Sequence, residues 1–161
     1  MNITLSTDAI LQEIYAASAL RYFQNSENGV CPPMLCRDQR RALRMQVKDS
    51  FAHVVLRLLP HVISCNLDNE AADVAETDDD DGDIMLELEL HVPATFPESA
   101  AGTLRHALEH AIAMDALELC YVGHNDRLSR RHATLAAESI ELIEQLLSTS
   151  IPMVAITPRW L

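Results

Sequence analysis

From Asp83 to Pro93 the chain reads Asp-Ile-Met-Leu-Glu-Leu-Glu-Leu-His-Val-Pro, with apolar residues at 84, 86, 88, 90 and 92. Glu87, Glu89 and His91 lie between them. A period of two puts one row of side chains on each face of a strand, one dry and one wet. A strand does not stand alone, and even an isolated hairpin is marginal. The strand near 84–92 therefore needs a partner. The candidates are a strand near 153–157 in the C-terminal stretch, residues 61–67, residues 3–5, or another copy of the chain.

The rest of the sequence is helical in pattern. Thr7 or Asp8 caps a first helix carrying Ile10, Leu11, Ile14, Tyr15, Tyr22 and Phe23, with Ser18 on the same face. Asn25 to Gly29 ends it, and the paired prolines at 32 and 33 exclude helix beyond. Asp38 caps a second helix whose stripe is Leu43, Val47, Phe51, Val54, Val55 and Leu58, ended or kinked at Pro60. Residues 61–67 read as a continuation of that helix or as an irregular segment. Thr95 and Glu98, with Pro97 between them, form a capping-box signature for a third helix. That helix carries Leu104, Leu108, Ala111, Ile112, Leu119 and Val122 and stops at Gly123. Asn125 or Asp126 caps a fourth, with Leu128, Leu135, Ile140, Leu142, Ile143, Leu146 and Leu147 on its inner side. The expectation is a mainly α fold: one domain over residues 1–161, a four-helix core and a small β element. Residues 68–83 are expected to form a flexible acidic loop, and residues 150–161 an extended tail.

Charge narrows the function. The formal net charge is −12, so phosphate contacts, which need Lys and Arg, are a poor fit. Direct nucleic-acid binding is not expected, nor is attachment to an anionic membrane. No signal peptide opens the chain and no run of eighteen apolar residues crosses it, so the expected location is the cytoplasm. Cys31, Cys36, Cys65 and Cys120 are expected to be reduced thiols.

Four patterns invite chemistry. Asp78, Asp79, Asp80, Asp81 and Asp83 surround Gly82, but an EF-hand placed there would have Thr77 first and Leu88 twelfth, both wrong as ligands. His106 and His110 share a helix face, yet a zinc site needs a third ligand. Cys31 and Cys36 lack a second ligand pair nearby. Asp115 and His132 fall on the apolar stripes of the third and fourth helices, where they would either pair or lie at the stripe edge and reach water. No catalytic residues, no metal and no cofactor are assigned.

Basic residues cluster at Arg37, Arg40, Arg41, Arg44 and Lys48, and again at Arg127, Arg130 and Arg131. Each cluster reads as a solvated helix face or as a surface that meets the acidic loop of a neighbouring molecule. The interaction surface expected from the sequence is therefore Asp78 to Asp81, Asp83, Arg37, Arg40, Arg41, Arg44 and Trp160.

The second half has a familiar order. Leu88-Glu89-Leu90-His91-Val92-Pro93-Ala94-Thr95-Phe96 precedes a helix with Leu104, His106, His110 and Leu117. A turn at Gly123-His124-Asn125-Asp126, a helix ending Ile143-Glu144-Gln145-Leu146-Leu147, and a tail from Ile151-Pro152 to Pro158-Arg159-Trp160 follow. This resembles small helical proteins of the neck and tail modules of tailed phages and prophages of gut bacteria, often grouped with head–tail connectors. The resemblance implies a ring-forming structural component without enzymatic activity, which associates with itself and with other virion or assembly proteins. Two alternatives of other classes stay open: an acidic module such as a DNA mimic that binds a host protein, and a metal-dependent activity centred on His106 and His110.

Overall fold

In the computed structural model, residues 1–25, 34–66 and 83–148 are described. The alternating stretch forms a strand, β3, over Met85–Leu90. It is the middle strand of an antiparallel three-stranded sheet, between β1 (Asn2–Ser6) and β2 (Val62–Cys65). β1 matches its period of two, setting Ile3 opposite Leu88 and Leu5 opposite Leu86. Ile3, Leu5, Leu86, Leu88 and Leu90 are all buried, while Asn2, Thr4 and Glu87 are exposed. The sheet is thus half wet, as its alternation requires.

Two of the four partner candidates are therefore taken up, residues 3–5 and residues 61–67. Residues 153–157 lie outside the described residues. The expectation of a helical or irregular segment at 61–67 is corrected. After the second helix, a single 3-10 turn at Leu59–His61 contains Pro60, and the chain then extends as β2. Pro60 has no amide hydrogen to continue the helix, and the exposed backbone of β3 offers hydrogen bonds instead. His91 N–H donates to His61 C=O at 2.7 Å, and Asn66 N–H donates to Glu87 C=O at 3.0 Å. A register irregularity between Val62 and Ser64 keeps β2 short.

The four helices are α1 (Thr7–Asn25), α2 (Arg40–Arg57), α3 (Ala101–Tyr121) and α4 (Asp126–Ser148). α3 is the central one, packing against α1, α2, α4 and β1. Every residue from Ala111 to Leu117 is buried. Ala111, Ala113 and Ala116 are small enough for neighbours to close in from several sides.

α3 begins later than the capping box implies. Phe96 precedes Pro97, which disfavours helical backbone at 96. Phe96 N–H closes a turn on Pro93 C=O, Pro97 is extended, and Glu98–Ala100 forms a 3-10 turn before the helix. The far end follows expectation. Gly123 takes the left-handed conformation at φ 76°, and Asn125 Oδ1 accepts the Leu128 amide to cap α4.

Candidate functional site

The acidic run and the first basic cluster meet inside one molecule. Asp83, last of the run, sits at the N-terminus of α1. Its carboxylate accepts hydrogen bonds from Ser6 Oγ (2.7 Å), Thr7 Oγ1 (3.0 Å) and Asp8 N–H (3.0 Å). Thr7 Oγ1 shares its one hydrogen between Asp83 and Ile84 C=O and accepts from Ile84 N–H, locking the start of β3 to the start of α1. Partial burial raises the Asp83 carboxyl, but these three donors and Arg44 together outweigh it and hold it below its ordinary value. An anion at a helix N-terminus is also favoured by the helix dipole.

One residue along, Asp8 accepts both oxygens' contacts from Arg40 at 2.8 Å and lies 3.5 Å from Arg44. Asp83, Arg40 and Arg44 therefore have partners within the chain rather than serving only an outer surface. Arg37 and Arg41 are exposed. Asp78, Asp79, Asp80, Asp81 and Trp160 lie outside the described residues, as does Cys31. Cys36, Cys65 and Cys120 are free thiols.

His106, His110 and His132 lie in three different environments. His106 is exposed and lies 3.3 Å from the mostly buried Glu109 one turn on. His110 turns to α1 and bonds Glu13 through Nδ1, which raises its pKa against a smaller opposing effect of burial. The pair thus points to two different carboxylates. Among the described residues, no group of three or more His, Cys, Asp or Glu is placed to hold a metal ion.

His132 is buried to 1% exposure, which corrects the expectation that it reaches water. Nor does it pair with Asp115. Its ring stacks on Tyr121 with centroids 5.6 Å apart, and Nδ1 lies 3.4 Å from Met114 Sδ. Nε2 is buried with no hydrogen-bond partner among the described residues. Burial, with the nearby cations Arg21 and Arg131 and His110, depresses its pKa to about 4. Asp115, largely buried as well, lies 3.3 Å from Nδ1 of the exposed His53 on α2. The two polar residues on facing stripes thus find separate partners.

Two outward surfaces remain. The first is the edge of β2, which has one neighbouring strand among the described residues. Ile63 on β2 is 57% exposed, and Leu56 and Leu59, just before it in the chain, are 65% and 60% exposed. Beside that edge, on the wet face of the sheet, a concavity of about 390 Å³ is lined by Asn2, Thr4, Ser64, Glu87 and Glu89, among others. Ser64 Oγ donates to Glu89 at 2.8 Å there. The second is α4, whose inner side buries Leu128, His132, Ala136, Ile140, Ile143 and Leu147. Leu142, expected inside, is 48% exposed, because the helical turn carries it toward the polar side. No helix of the described residues is long and apolar enough to cross a membrane.

A scan of protein-family models and searches of curated proteins and of solved structures return no match to this chain.

Proposed function

We propose that this chain is a non-enzymatic assembly protein that works as a homo-oligomer. The resemblance of its second half to neck and tail components of tailed phages and prophages supports a role of that kind, in the cytoplasm during assembly or on the virion afterwards. The observation that carries the self-association reading is the edge of β2. Edge strands present unpaired backbone groups, and proteins ordinarily blunt them with charge, proline or cover. β2 carries Ile63 in place of a charge, with Leu56 and Leu59 exposed close by in the chain. Where such exposed apolar side chains are contiguous they mark contacts between proteins.

Multi-angle light scattering at rising concentration tests this reading. The expected mass is a multiple of the 17.9 kDa chain. Ile63→Lys, which puts a charge beside the strand edge, is expected to lower it. A mass of one chain at every concentration contradicts the proposal.

A second reading is favoured by Glu87 and Glu89, which the strand holds side by side on the wet face. Fixed carboxylates can imitate a row of phosphates toward a basic host protein. Duplex DNA would then compete for the same partner. A partner whose binding DNA leaves unchanged would contradict it.

A further inference from the structure

α4 carries its outward charges the wrong way round for a helix. Arg127, Arg130 and Arg131 lie in its N-terminal part, and Glu138, Glu141 and Glu144 lie toward its C-terminal end. A helix dipole favours the opposite order. Its last turn holds no basic residue, and Asp126 is the acidic residue of its first. Like charges also sit three or four residues apart, as in Arg127 and Arg131 or Glu138 and Glu141, which disfavours the isolated helix. All six side chains are exposed, and among the described residues no ion pair joins them to the rest of the chain. At 100° per residue all six fall on one arc, opposite the buried stripe of Leu128, Ile140 and Leu147.

We propose that this face of α4 binds the same face of a second copy, antiparallel, about a twofold axis. One register brings opposite charges level along the axis. It sets Arg127 opposite Glu144 of the copy and Arg130 opposite Glu141. Arg131 then faces Glu138 to within about 3 Å along the axis. The midpoint of that register falls between Leu135 and Ala136, so Thr134 meets Ala137 at the centre. Both are exposed and small, which permits the close approach of two helix axes, about 8–10 Å. A twofold contact uses the same patch on both copies, and a face basic at one end and acidic at the other is complementary to itself only when antiparallel. The arrangement that disfavours a single helix is thereby turned into complementarity between two.

This inference rests on the self-association reading and adds a second contact surface, on α4, with its register. The test uses two charge-reversed full-length variants, Arg127→Glu/Arg130→Glu/Arg131→Glu and Glu138→Arg/Glu141→Arg/Glu144→Arg. Each aligns part of α4 better with its dipole, so each is expected to melt at or above the wild-type temperature. Sedimentation velocity of each variant alone is expected to show a smaller species than wild type, with association weakened at least about a hundredfold. An equimolar mixture is expected to regain the wild-type species, because an all-acidic face then meets an all-basic one. If both variants sediment like an oligomeric wild type, or the mixture fails to recover, the α4 contact is overturned while self-association stands. A monomeric wild type overturns both.

Discussion

Asp83 shows why a residue's role is hidden from local pattern. In the sequence it is one more carboxylate in an acidic run. In the fold it caps α1 across more than seventy residues of chain. Asp83→Asn or Asp83→Ala should cost about 1 kcal/mol, read by urea denaturation at neutral pH. Its folded pKa is depressed, so its contribution is present above the ordinary carboxyl value of 3.8 and is lost as pH falls through the folded one. His132 acts in the same direction at higher pH. Its folded pKa of about 4 lies below its ordinary 6.5, so the unfolded chain binds the proton more readily between them. Stability should fall by about 3 kcal/mol as pH drops through that window. His132→Phe keeps the stack on Tyr121 and removes the orphaned nitrogen, so it should flatten this dependence. An unchanged pH profile in the variant would contradict the account. His110 has the opposite sign. Its raised pKa gives stability that is present below 6.5 and lost as pH rises through the folded value. Proton NMR should therefore find His110 titrating above 6.5 and His132 near 4. The helical spacing of His132 was legible in the sequence. Its depth was not, because a residue on an apolar stripe is placed by what packs over it, here Tyr121 and Met114.

At the scale of elements, β3 was legible because a period of two has one structural meaning. Leu88→Ala should cost about 2–5 kcal/mol, while Glu87→Ala on the wet face should stay within about 0.5 kcal/mol. Near-equal costs in thermal or urea melts would contradict the two-faced sheet. The four helices were legible for the same reason, through their stripes and through signals such as Gly123 and Asn125. β2 was not. Four residues are too few to show a period, and Pro60 reads equally as a kink or a stop. The start of α3 was misplaced because Thr95 and Glu98 satisfy a capping pattern locally, while the restriction that Pro97 imposes on Phe96 acts against it. Buried sides were over-assigned at Leu142 and Phe23, which are 48% and 68% exposed. An apolar residue near the edge of a stripe does not reveal which side of the boundary it falls on.

At the scale of the molecule, charge segregation was visible in the sequence and its pairing was not. The first basic cluster and the end of the acidic run come together around Asp8 and Asp83 within one chain. The second cluster, on α4, faces outward with the acidic residues of the same helix. Two chains of net charge −12 repel at long range, so association through α4 depends on screening. At about 0.1 M salt the Debye length is about 10 Å, which damps the overall repulsion and leaves contacts at ion-pair distance. At about 1 M those contacts weaken as well. Sedimentation equilibrium across a salt series is therefore the most direct test that this chain is built to meet its own copy through charge. The account predicts a mass above the 17.9 kDa chain near 0.1 M that falls to a smaller species near 1 M, where the α4 contact weakens. A mass of one chain throughout, or an oligomer indifferent to salt, would contradict it.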